Sequence, residues 1–191
     1  MTTVEDVPFT PAEIDAAEKL GACGPAIKWL RAAPRTLTQL AAHDEGWTCW
    51  IVGRVPDYAE RVAAALLARP GGAGEYSLCR VLERVPAYSE RAWSALLALP
   101  GGVKEGSLLW IVVRVPVYDK RAWAELLSLP GGAGEGSLLW IVERSPVYAE
   151  RAWDALLDRP GGVSEDGLRW VLEGVPDYAE RAAAELRRME K

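Results

Sequence analysis

His43 is the single histidine of the chain, and Asp44 and Glu45 follow it directly. A histidine beside carboxylates is raw material for general acid–base catalysis. Here the run lies on a polar segment and no nucleophile is paired with it, so the expectation is a solvated stretch. Cys23, Cys49 and Cys79 make an odd count without C-x-x-C spacing. That pattern argues against a disulfide framework and against zinc. Cys49 and Cys79 fall at one place in successive repeats and read as small space-fillers. The stretch "PGGAGEG" (130–136) is glycine-rich but lacks the lysine of a phosphate loop and follows a helical pattern, so it reads as a turn. These residues give no catalytic set, no metal site and no cofactor site, and the chain is expected not to be an enzyme.

The residues suited to recognition are more ordered. There are nine tryptophans against one phenylalanine, so tryptophan is placed rather than sampled. Trp50, Trp110 and Trp140 each stand four residues before an arginine, Arg54, Arg114 and Arg144. On a helix that spacing shares one face, and a guanidinium can stack on an indole. Two rungs are broken: Arg80 stands with Arg84, and Trp170 with Gly174. Tryptophan and arginine dominate interface hot spots. Trp50, Arg54, Trp110, Arg114, Trp140, Arg144 and Trp170 are therefore the candidate binding residues; the alternative is that the indoles bridge neighbouring units. A secondary row is Arg61, Arg91, Arg121, Arg151 and Arg181. Beside each stands a glutamate, except that Lys120 precedes Arg121. The row reads first as Glu–Arg pairs between units, each worth about 0.2–1 kcal/mol. Its functional alternative is capture of an acidic peptide or of phosphates.

These side chains recur because the elements that carry them recur. Pro56, Pro86, Pro116, Pro146 and Pro176 are spaced by thirty residues, and Pro-Gly-Gly stands between them at 70, 100, 130 and 160. Residues 101–130 and 131–160 agree at 20 of 30 positions, which makes each thirty-residue block one structural unit. Each unit reads as two short helices. The first, such as 135–144, carries Leu138, Ile141 and Val142 and, in sister copies, a valine before the proline, which forms one apolar stripe. Ser164 or glycine stands at its N-cap, followed by acidic residues. The second helix is predicted to open on the marker proline and to stop at Pro-Gly-Gly. Its apolar arc holds Tyr148, Ala152, Trp153, Leu156 and Leu157. Trp93, Trp123 and Trp153 are thus expected in the core, with Ala63 and Ala183 replacing them at the array ends. The tyrosines at 58, 88, 118, 148 and 178 are expected at the edge of the arc, each hydroxyl held by a neighbouring carbonyl or carboxylate. Units of this size cannot bury their apolar faces alone and must stack. The last unit, with Arg187, Arg188 and Glu190, is expected to turn a polar face outward.

The predicted fold is all-α: a right-handed α-solenoid of about five two-helix repeats over 46–191 behind an N-terminal helical cap over 1–45. In the cap, Thr10-Pro11-Ala12-Glu13 reads as a capping box, with a helix to about Leu20 ended by Gly21. This helix-pair architecture resembles the HEAT-like repeat proteins, over about 46–190. Within 21–54, Ala22-Cys23, Trp29-Leu30, Trp47, Trp50 and Arg54 resemble a small helical module of bacterial immunity proteins. Neither resemblance implies a catalytic motif.

The charge balance is mildly acidic, 22 basic against 27 acidic residues and a net charge of −5, which offers no general attraction to nucleic acid or anionic membrane. The N-terminus has neither the basic start nor the apolar segment of a leader, and no apolar run reaches the ~20 residues of a membrane span. A cytoplasmic protein is expected. The function expected is a scaffold that presents the Trp/Arg face to a protein partner or to its own copy. A nucleic-acid-binding solenoid using the arginine rows is the alternative, and toxin neutralisation is a special case of protein binding.

Overall fold

The computed structural model describes residues 7–190, which fold into helices without a strand; one isolated bridge pairs Pro8 with Thr36. The leader reading of residues 1–6 and the margins of both expected domains lie outside the described residues. Three cap helices come first: α1 (Pro11–Lys19), α2 (Gly24–Arg31) and α3 (Leu37–His43). Five pairs follow: α4 (Glu45–Arg54) with α5 (Pro56–Leu67), α6 (Glu75–Arg84) with α7 (Ser89–Leu97), α8 (Glu105–Arg114) with α9 (Asp119–Ser128), α10 (Glu135–Arg144) with α11 (Ala149–Leu157), and α12 (Glu165–Gly174) with α13 (Ala179–Met189). Each helix packs mainly on its pair partner, and first helices also pack in sequence order, α4 on α6, α8 on α10, α10 on α12. The chain divides into two compact units, Met1–Val103 and Lys104–Lys191. The first holds the cap and two pairs, the second three pairs. No helix among the described residues is long and apolar enough to cross a membrane.

The helix ends follow the local chemistry. Thr10 and Glu13 form the capping box of α1, and Thr36 with Gln39 repeats the device on α3. Ser164 caps α12 by accepting from the Gly167 N–H. Both glycines of every Pro-Gly-Gly turn have φ between 68° and 91°, where a Cβ would collide with the backbone. One boundary differs from the sequence reading. Only α5 starts on its marker proline. In the other four pairs the proline opens a single tight turn, closed by the tyrosine N–H on the carbonyl three residues back, as in Tyr148 to Ser145 at 2.9 Å. The tyrosine then sits near φ −110°, ψ 0°, as in Tyr118 and Tyr178, the bridge region between turn and helix. The α-helix begins one residue later.

A joint invisible in the apolar pattern links successive pairs. The first glutamate of a first helix reaches the N-terminus of the next first helix. Glu45 Oε1 accepts the Gly74 N–H at 2.6 Å, and its Oε2 meets Arg69 at 2.5 Å. Glu105 accepts the Gly134 N–H at 2.5 Å. Glu135 accepts from the Ser164 N–H at 3.0 Å and its hydroxyl at 2.5 Å, with Arg159 at 3.2 Å. A Cβ on Gly74 or Gly134 would stand 2.9 Å from the carboxylate, so glycine lets the acid approach. Each carboxylate thereby satisfies an orphan helix N–H and sits at the positive end of the dipole.

The core is the stripe expected. Leu138, Ile141 and Val142 are buried, as are Val85, Val115, Val175 and Ser145 before the prolines. Trp93 and Trp153 are 1% exposed and Trp123 7%. The second leucine of each pair departs from expectation: Leu97, Leu127 and Leu157 are exposed, because they fall on the last turn at the margin of the arc. The last pair also differs in part. Arg187, Arg188 and Glu190 are exposed as expected, yet so are Trp170 and Leu172 on α12. Val112 and Val142 hold the place of Leu172 in earlier pairs and are buried.

Truncating Trp153 to alanine is expected to cost about 3–5 kcal/mol, read as a shift of the urea midpoint. Glu135→Gln is expected to cost about 1–2 kcal/mol at pH 7. Burial raises the Glu135 pKa, but the Ser164 hydroxyl and N–H and Arg159 outweigh it and hold the acid below 4.5. Its contribution is therefore present above pH 4.5 and lost as pH falls through the lower folded value. Unfolding curves at pH 7 and pH 3 should show the gap between wild type and variant closing at acid pH.

Candidate functional site

The first-helix residues singled out by spacing fall into two groups. In the second unit, Trp110 on α8, Trp140 on α10 and Trp170 on α12 occupy one column of consecutively packed helices. Trp110 and Trp140 are half-buried, and Trp170 is 40% exposed. Arg114 and Arg144, one turn on, are exposed. In the first unit, Trp50 is half-buried and Arg54 exposed. At the broken rung, the Arg80 guanidinium pairs with Glu83 at 2.6 Å and lies across α4, 3.0 Å from where a Cβ on Gly53 would stand.

The expected stacking of first-helix arginines on indoles is not what the side chains do among the described residues. Arg144 turns to its neighbour Glu143 at 3.3 Å, because an adjacent carboxylate attracts it more strongly than the ring quadrupole one turn back. The cation–π contacts belong to the secondary row. Arg61, Arg91, Arg121, Arg151 and Arg181 each lie over the tyrosine three residues earlier, at 5.2–5.8 Å from the ring centroid. Arg181 also covers Trp153 at 5.3 Å. The i, i+3 relation puts tyrosine and arginine on one helix face. This spacing was present in the sequence and went unread there.

The tyrosines join one second helix to the next. Tyr58 donates to Glu13 of α1. Tyr148 bonds to Asp119 and Tyr178 to Glu150, so the hydroxyls are held by carboxylates as expected. Tyr148 packs on Trp123 and Tyr178 on Trp153, at 5.4 and 5.5 Å between rings. Burial, then the Asp119 charge and bond, push the Tyr148 hydroxyl up. Burial and the bond to Glu150 push Tyr178 up from 10 to about 12. Hydrogen bonds from Arg181, then Tyr178, hold Glu150 below its ordinary value. The inter-unit Glu–Arg pair is present here, Arg181 to Glu150 at 2.7 Å.

The cap adds ring contacts to His43 that the sequence reading did not include. Its ring stacks on Trp29, centroids 4.5 Å apart and planes within 3°, and meets the edge of Trp47 at 5.5 Å. Arg35 covers Trp29 at 4.6 Å. His43 is exposed, as a solvated run implies, and its ring also joins an aromatic cluster. Sequence spacing could not reveal this, because the rings come from three helices. Beside the cluster, a cavity of about 220 Å³ opens between α1, α2 and α4, lined by Cys23, Ala26, Leu40, Trp47, Trp50 and Ile51 among others. Cys49 and Cys79 are buried fillers, and burial raises the Cys49 thiol. Among the described residues no group of three or more His, Cys, Asp or Glu side chains gathers in a metal-ligand arrangement.

No protein-family model, no curated protein and no solved structure matches the chain.

Tyr178→Phe is expected to cost about 1 kcal/mol at pH 7. Because folding raises the hydroxyl's pKa, its contribution is complete below pH 10 and lost as pH rises through about 12. Stability measured by denaturant at pH 7, 9 and 11 should show the full gap between variant and wild type at pH 7 and 9 and a narrower one at pH 11.

Proposed function

We propose that the chain is a non-catalytic binding protein. In this reading the helix pairs stack as a right-handed, HEAT-like α-solenoid whose first helices present tryptophan and arginine to a protein partner or to a second copy. The observation that supports it is the column Trp110, Trp140 and Trp170 on α8, α10 and α12. None of the three indoles is fully buried, while Trp93 and Trp153 on second helices are sealed away. Large aromatic rings left partly open at a regular spacing are what an interface needs as anchors. The exposed Arg114 and Arg144 add charge at the rim, and Trp50 with Arg54 continues the motif in the first unit. Neutralisation of a toxin is one form such binding takes. The three free thiols suit a reducing compartment such as the cytoplasm.

Nucleic acid binding has less support. The second-helix arginines lie on tyrosine rings, and Arg181 is paired with Glu150.

The test begins with partners captured on the purified chain and re-made as pure proteins. The double variant Trp110→Ala/Trp140→Ala should weaken a partner's affinity by at least about 30-fold, a hot-spot loss of 2 kcal/mol or more, by titration calorimetry. Its melting curve should stay cooperative and shift by a few degrees. A collapsed melt would assign the rings to the core, and unchanged affinity would end the reading.

A further inference from the structure

The ion pair between α11 and α13 has no counterpart between α9 and α11 among the described residues, and that place lies beside two exposed valines. Glu150 of α11 pairs with Arg181 of α13 at 2.7 Å. The residue that should serve Arg151 in the same way is Lys120 of α9. A lysine cannot accept, and among the described residues neither Lys120 nor Arg151 makes an ion pair; Arg151 rests on the Tyr148 ring at 5.8 Å. Both are exposed.

The turns that lead into these two helices are neighbours, tied together by the Tyr148 bond to Asp119. Each turn lifts one valine into solvent: Val117 is 85% and Val147 79% exposed. Each is preceded by the exposed arginine that ends a first helix, Arg114 or Arg144. The corresponding turn of the last pair has Gly174 and Asp177 instead, so the combination belongs to these two turns. The acids close by are already engaged: Asp119 with the Tyr148 hydroxyl and the Lys120 N–H, Glu143 with Arg144, Glu150 with Arg181.

We infer that this turn edge is a docking site for an acidic peptide segment carrying apolar side chains, with Val117 and Val147 as the apolar contacts and Arg114, Lys120 and Arg151 as the carboxylate partners. Charge complementarity selects the ligand, since a chain of net charge −5 here gathers uncompensated cations around apolar side chains. The valines distinguish a peptide from nucleic acid, which would gain nothing from them. Neighbouring helices lie about 8–10 Å apart, the reach of about three extended residues. A partner in the polyproline II conformation, which turns once every three residues over about 9 Å, fits both valines with apolar residues at every third position and acids between them. The site shares Arg114 with the rim of the tryptophan column but uses none of its indoles, and the valine and Lys120 substitutions test it without touching that column.

The test is fluorescence anisotropy of the full chain with a fluorescein-labelled peptide of three Val-Glu-Glu repeats. Binding should weaken as salt rises from 50 to 300 mM. Lys120→Glu, which restores the missing rung to Arg151, should weaken it at least ten-fold while the melting temperature holds or rises. Val117→Ser/Val147→Ser should weaken it at least five-fold with the melt unchanged. A control peptide of Val-Gln-Gln repeats should not bind. The inference is overturned if the acidic peptide does not bind, if Lys120→Glu leaves its affinity within two-fold, or if a single-stranded oligonucleotide binds as tightly and indifferently to the valine substitutions.

Discussion

Within each unit, a carboxylate handed from one first helix to the N-terminus of the next fixes their spacing. Short two-helix units leave N–H groups unmet at every first helix, and packing between them is apolar and nearly direction-free. Glu45, Glu105 and Glu135 supply what packing lacks, a directional contact with a defined partner atom. The glycine or serine that receives each carboxylate follows from it, and so do Arg69 and Arg159, which balance the charge. The apolar stripes then seal what these joints have aligned.

A second series runs through the other helices. Tyrosine, arginine and tryptophan form one layered contact: the hydroxyl on the carboxylate of the preceding helix, the guanidinium over the ring, the indole behind it. The two series fix different things. The glutamate joints set the step between first helices, and the tyrosine contacts set the seating of the second. What both leave unfilled is on the outside: the partly covered indoles of α8, α10 and α12 and the apolar, basic edge beside Lys120.

The repeat made the elements legible. Helix α10 occupies the residues its stripe predicted, and Trp153 lies where its arc placed it, because periodicity and burial are the same information read twice. The Thr10 capping box and the Pro-Gly-Gly stops were legible for the same reason: their backbone chemistry is local. The joints were not. Glu135 reads as an ordinary first-turn acid, and nothing in its own helix says that it serves Ser164. Likewise His43 lies exposed in its acidic run, but nothing in that run says that Trp29 of another helix stacks on it. The Arg–Tyr spacing was visible, but the eye follows the rarer tryptophan. Contacts between elements are the part of a fold that composition within one element does not encode.

The joint also bears on how such a chain changes length. Each of the three joints spans one block of thirty residues, an acid that reaches forward and an amide that is reached: Glu45 to Gly74, Glu105 to Gly134 and Glu135 to Ser164. A duplication of thirty codons, wherever in the block it is cut, therefore inserts one of each and leaves no group unmatched. An insertion of any other length strands an acid at one end and an amide at the other. Growth by whole blocks is conservative, and once a block has been copied, single positions such as Lys120 are free to diverge while the seam on either side stays closed.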